Sequence, residues 1–130
     1  MKPTIICVDD EKVILDSIKT QLKSAFGAAY SYETAESAED ALELIEELDD
    51  EGRGVVVIVS DWLMPGMKGD ELLIHIHRNF PGVIKIMLTG QADQEAVERA
   101  VKQANLHKLL KKPWTEEELI KGICDAMQQL

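Results

Sequence analysis

Cysteine is scarce: Cys7 and Cys124 are the only two in 130 residues. Both fall in segments whose patterning predicts burial. They read as reduced core thiols of a cytosolic protein, not as a disulfide or a metal pair. Long apolar runs are also missing. No stretch approaches the roughly 20 apolar residues that a membrane helix requires. The first apolar run, Thr4 to Val8, is too short for a signal peptide with its cleavage site. The expectation is a cytoplasmic protein with no membrane contact. A surplus of positive charge is absent as well, since 14 Lys and Arg face 24 Asp and Glu for a net charge of −10. That balance argues against a domain that grips nucleic acid or an anionic membrane. Residues 33 to 51 hold no Lys or Arg at all and read as a solvated acidic helix face. Linkers, low-complexity tracts and short-period repeats are lacking, so residues 1–130 read as one domain. That length buries a core without a staple.

What is present centres on Val55-Val56-Val57-Ile58-Val59, an unbroken apolar, β-branched run. A strand apolar at every position is buried on both faces, as in the middle of a parallel sheet covered by helices. Ser60 and Asp61 follow, then Trp62-Leu63-Met64-Pro65-Gly66, whose Pro-Gly pair is turn chemistry. Asp61 therefore belongs at the carboxyl end of a central strand, the edge where ligands bind in open α/β sheets.

The same strand-then-helix pattern repeats along the chain. Thr4–Val8 predicts a first strand that stops at Asp9-Asp10-Glu11, with a helix on Ile14, Leu15, Ile18 and Leu22 ended by Gly27. Residues 28–32 read as a weak edge strand. Ala38, Ala41, Leu42, Ile45 and Leu48 then mark one helix face. After the central strand, residues 70–78 predict a helix with Leu72, Leu73 and Ile76 inward, broken by Pro81-Gly82. Residues 83–88 predict a fourth strand that ends at Thr89-Gly90. Asp93 is the expected N-cap of a helix with Ala96, Val97, Ala100, Val101 and Ala104 on one face. Residues 107–110 predict a fifth strand leading into Lys111-Lys112-Pro113-Trp114. Thr115 and Glu118 have capping-box spacing ahead of a helix that buries Leu119, Ile123 and Met127. Five βα units imply an α/β fold: a parallel sheet with right-handed crossovers and helices on both faces.

In the flavodoxin-like order 2-1-3-4-5, strands one and three meet at the switch point. Asp9, Asp10 and Asp61 would then converge, with Thr89 and Lys112 arriving from strands four and five. Three carboxylates at close range repel. The ammonium of Lys112 and a divalent cation such as Mg²⁺ are the two available remedies. Asp61 is a candidate nucleophile, and aspartyl phosphates are an established class of covalent intermediate. A transferred phosphoryl group needs the charge neutralisation that Mg²⁺, Lys112 and the Thr89 hydroxyl would supply. Gly90 leaves the approach open.

Asp9-Asp10 after an apolar strand, Ser60-Asp61-Trp62-Leu63-Met64-Pro65-Gly66-Met67 with Gly69, Leu88-Thr89-Gly90, and Lys112-Pro113-Trp114 together resemble the receiver domain of bacterial two-component response regulators. The resemblance spans the whole chain. It implies the flavodoxin-like (βα)5 sandwich and a phosphorylation-dependent switch, not a conventional enzyme, with autophosphorylation and self-hydrolysis of its own. Asp61 would accept a phosphoryl group from a histidine kinase or phosphotransfer protein. Asp10, Asp61 and the backbone carbonyl of Leu63 would bind Mg²⁺, with Asp9 acting through a water. Thr89 and Lys112 would bond the phosphoryl oxygens, and the Lys112-Pro113 peptide would be cis. The partner at the other end would be an output domain or downstream effector. Helix four, strand five and helix five form the family's signalling and homodimer face.

The chain departs from the family pattern at Leu109, where Tyr or Phe is frequent and its ring moves with the threonine. Aromatic gating is therefore in doubt here. Lys68 stands where Asp is common before the loop glycine, and Trp114 where Phe is commoner. Trp62 reads as a partly buried hydrophobe of the loop, with a role in shaping access to Asp61 as its alternative. His75, His77 and His107 read as surface or boundary residues. Two rivals compete for the pattern. A haloacid-dehalogenase-type phosphatase needs a second Asp two residues after a nucleophile on strand one. An FMN binder needs a Ser/Thr/Gly-rich phosphate loop where Asp9-Asp10-Glu11 stands.

Overall fold

A computed structural model describes residues 2–90 and 94–128. Its elements in order are β1 (Thr4–Val8), α1 (Lys12–Phe26), β2 (Ser31–Ala35), α2 (Ala38–Asp50), β3 (Val55–Asp61), α3 (Gly69–Asn79), β4 (Ile84–Thr89), α4 (Gln94–Ala104), β5 (Lys108–Lys111) and α5 (Glu116–Gln128). The five strands form one parallel sheet in the order β2-β1-β3-β4-β5. This is the flavodoxin-like α/β arrangement expected from the alternation of strand and helix signals. Among the described residues no helix is long and apolar enough to cross a membrane.

Two apolar layers flank the sheet, because alternate side chains of a strand point to opposite faces. Ile5, Cys7, Val57, Val59, Ile84, Ile86 and Leu88 meet Leu15, Ile18 and Leu22 of α1 and Leu119 and Ile123 of α5. Ile6, Val8, Ile58 and Met87 meet Ile45 and Leu48 of α2, Leu72, Leu73 and Ile76 of α3, and Ala96, Ala100 and Ala104 of α4. Thr115 and Glu118 close a reciprocal capping box at the start of α5, with 3.1 Å in both directions.

Several expectations move. The second strand lies at Ser31–Ala35, not 28–32, because Gly27–Ala29 form a 3₁₀ turn first. It is an edge strand, as expected. The third strand extends one residue to Asp61, and the fourth and fifth shift by one to Ile84–Thr89 and Lys108–Lys111. Val101 is 53% exposed, while Ala96, Ala100 and Ala104 are buried. The α4 stripe is thus a narrow i, i+4, i+8 row that excludes it. Ile14, Leu42, Met127 and Cys124 are only half-buried. Cys7 is buried, and burial pushes its thiol up to about 12. Both cysteines are free. The expected cap Asp93 lies outside the described residues.

Candidate functional site

Strand register brings the candidate residues to one edge. Val8 of β1 pairs with Ser60 of β3, Asp61 with Leu88 of β4, and Thr89 with Lys111 of β5. Asp9, Asp61, Thr89 and Lys112 therefore sit at or just past strand ends in adjacent rows. Backbone bonds continue past the strands, from the Asp9 N–H to the Ala35 carbonyl (3.2 Å), the Trp62 N–H to the Leu88 carbonyl (2.9 Å) and the Lys112 N–H to the Thr89 carbonyl (2.8 Å). The Lys112-Pro113 peptide is cis.

A carboxylate oxygen from each of Asp9, Asp10 and Asp61 lies within 4.8 Å of the others. Asp9 and Asp61 are buried and Asp10 is exposed. Lys112 Nζ stands 3.0 Å from Asp61 Oδ1 and 3.3 Å from Asp9 Oδ2. The Glu11 N–H donates to Asp9 Oδ1 at 2.9 Å. Burial is the main cause that lifts the Asp61 carboxyl above the usual range; Lys112 opposes it and Asp10 adds to it. Asp9 is lifted for the same first reason, with Asp61 as the repelling neighbour and the Glu11 N–H and Lys112 working against the rise. Burial alone would lower Lys112, but its bond to Asp61 and the charges of Asp61 and Asp9 outweigh that and hold it above the ordinary lysine value.

Asp10 and Asp61 open onto a cavity of about 640 Å³ lined also by Glu11, Leu63, Met64, Pro65, Gly90 and Lys112, with Asp9 buried behind them. Leu63 is 48% exposed at its wall. Thr89 is buried at the last position of β4, one residue before Gly90. The donor set is hard oxygen with excess negative charge, which suits a small divalent cation that keeps several waters.

The loop after Asp61 is anchored by Gly69, whose N–H donates to the Trp62 carbonyl at 2.8 Å. A Cβ at Gly69 would lie 2.9 Å from Trp62 Cα, so this backbone crossing requires glycine. Trp62 is buried and packs in the α2–α3–α4 layer, more deeply than the partly buried loop hydrophobe expected, and it is not among the residues lining the cavity. Its indole Nε1 donates to Asp70 Oδ1 at 3.0 Å. Lys68 is exposed on the loop, with its Nζ 5.6 Å from the ring centroid, a cation–π contact made by a solvated lysine. Sequence reasoning missed the pairing of Asp70 with Arg99. The two are 29 residues apart, and no local pattern marks them.

His77 and His107 are half-buried and share a neighbour that sequence reasoning also missed, the fully buried Lys85 of β4. The Lys85 N–H donates to His107 Nδ1 at 3.1 Å, and Lys85 Nζ to the Val83 carbonyl at 2.7 Å. This cluster lies at the opposite end of the sheet from the acids.

Comparison with known proteins agrees with this geometry. The chain is 29% identical over 125 residues to the hydrogenase transcriptional regulatory protein HoxA of Cupriavidus necator, covering 96% of this chain and 24% of that protein. The chain thus spans about a quarter of that relative's length. The signal receiver domain of an HD domain-containing protein from Pseudomonas fluorescens Pf-5 superposes with a TM-score of 0.86 at 29% identity, covering 99% of this chain and 97% of that one. The beryllofluoride-activated NtrC4 receiver domain dimer superposes with a TM-score of 0.81 at 28% identity, covering 97% of each chain. The family model of the response regulator receiver domain matches residues 5–124. Strand order, the acidic pocket at the strand ends and a match over nearly the whole chain lead to one conclusion: the chain belongs to the response regulator receiver family.

Proposed function

We propose that this receiver domain is a phosphorylation-driven switch whose phosphoacceptor is Asp61. One observation carries the reading: Asp9, Asp10, Asp61 and Lys112 come together from three separate strand ends, and Asp10, Asp61 and Lys112 line one open cavity. A carboxylate oxygen of Asp61 attacks the phosphorus of a phosphohistidine on a histidine kinase or phosphotransfer protein. The P–N bond breaks, and the departing imidazole nitrogen keeps its electron pair and takes up a proton. Asp10, Asp61 and the Leu63 carbonyl would hold Mg²⁺, with Asp9 acting through a water. The ion, when bound, supplies charge neutralisation for the transferred oxygens. Lys112 already stands 3.0 Å from Asp61 Oδ1, so its ammonium neutralises a phosphoryl oxygen after a small movement. The Thr89 hydroxyl serves a second oxygen. Slow hydrolysis of the aspartyl phosphate resets the switch.

The signal then passes to an output domain or effector through α4, β5 and α5, which also form the candidate homodimer face. A phosphatase reading has no comparable support: the residue two after Asp61 is Leu63, with no carboxylate to protonate a leaving group.

Incubation with acetyl phosphate and Mg²⁺ followed by intact mass measurement tests the proposal. Wild type is expected to gain one phosphoryl group and Asp61→Asn none. Equal labelling of both would refute it.

A further inference from the structure

Asp70 is a buried acid, its side chain 2% exposed, at the second position of α3. One oxygen accepts the Trp62 indole N–H at 3.0 Å. The other accepts from Arg99 of α4, at 3.3 Å from Nε and 3.2 Å from Nη2. A buried carboxylate with two polar partners on different elements ties those elements together, because freeing Arg99 leaves its charge unpaired and freeing the indole leaves one oxygen without its hydrogen bond. The Trp62 end of this chain is fixed to the phosphoacceptor's own backbone. Its N–H is bonded to the Leu88 carbonyl and its carbonyl to the Gly69 N–H. A shift of the peptide after Asp61 therefore carries the indole with it. The Arg99 end sits mid-helix on α4, one residue before the buried Ala100, with 48% of its side chain exposed.

We propose that Asp70 is a positioning residue that couples the loop after Asp61 to α4 through Trp62 and Arg99. The proposal rests on the reading of Asp61 as phosphoacceptor. Leu109 of β5 is half-buried and apolar. It packs in the same layer as Trp62, Val97 and Ala100 but offers no polar atom. Trp62–Asp70–Arg99 supplies a directional contact from the strand-end loop to the same helix.

Hydrogen exchange of α4, read by mass spectrometry with and without acetyl phosphate and Mg²⁺, tests the coupling. Arg99→Gln is the central variant, since Arg99 lies outside the acidic pocket and half in solvent. In wild type, phosphorylation is expected to change α4 exchange by about fivefold, the lower end of ordinary site-to-site coupling. Arg99→Gln keeps the same phosphoryl stoichiometry and loses most of that change. Arg99→Lys retains the charge and restores at least half of it, which a merely structural role would not require. A full α4 response in phosphorylated Arg99→Gln overturns the proposal while Asp61 stands. A wild type that takes up no phosphoryl group removes the reading of Asp61 and the relay with it, and the mass measurement separates that case from the other.

Discussion

Lys85 is the residue that the sequence conceals best. Within Ile84-Lys85-Ile86 a lysine reads as a break in an apolar strand, yet it is fully buried and faces His77 and His107, with no acid beside it among the described residues. Burial pushes its ammonium down from 10.5 to about 8. His77 and His107 are both lowered, first by burial and then by the Lys85 charge. Below about pH 8 folded and unfolded chains both carry the Lys85 proton, so the folded state bears the full cost of the buried charge. Between about 8 and 10.5 the unfolded chain binds more protons, and stability rises with pH. The drop from 10.5 to about 8 corresponds to roughly 3 kcal/mol. Lys85→Met is expected to raise stability at pH 7 by about 1–3 kcal/mol and to remove the alkaline rise, read by urea denaturation at several pH values. A destabilised variant with the rise intact would contradict this. The catalytic candidates were easier to find, because Asp9, Asp10, Asp61, Thr89 and Lys112 all follow recognisable strands. Asp70 was not, since an acid in the first turn of a helix has a sufficient local explanation in the helix dipole.

Elements with one strong period were legible. β1 matches its expected bounds, and β3 falls one residue beyond its own, because continuous β-branched runs admit no other reading. β2 moved because Ser31-Tyr32-Glu33-Thr34-Ala35 is only half-buried and has little apolar signal. An edge strand paired on one side is held by tertiary context more than by its own pattern. The Val101 error has a similar cause: five apolar candidates on α4 suggest a wide stripe, but Ala96, Ala100 and Ala104 make the buried row, with Val97 packed at its side and Val101 in solvent. Replacing Val101 by Lys should therefore change stability by no more than about 0.5 kcal/mol. A loss above about 2 kcal/mol in thermal or urea unfolding would show that the residue is core after all. At the start of α5 the two 3.1 Å bonds of the capping box predict a definite cost. Thr115→Ala should lose about 1 kcal/mol in the same unfolding measurement, and Thr115→Ser almost none.

The whole molecule is a sheet that delivers charge to one end. Nothing in a single segment explains why Asp61 is buried beside Asp9; the order β2-β1-β3-β4-β5 does. Burial, with repulsion of Asp9 by Asp61 and of Asp61 by Asp10, then holds both carboxyls above their usual range, which favours any cation that binds the folded state alone. Mg²⁺ should raise the thermal midpoint, with about 1.4 kcal/mol for each tenfold increase in concentration once the site is saturated. Asp10→Asn should flatten that dependence, whereas equal midpoint shifts in both proteins would place the ion elsewhere. The most direct measurement concerns where the phosphoryl group lands. Borohydride reduces an acyl phosphate to an alcohol, so protein treated with acetyl phosphate and Mg²⁺, reduced and digested, carries homoserine at the modified position. The account predicts homoserine at position 61. Homoserine at position 9 or 10 instead, or at no position in a folded protein, would contradict it.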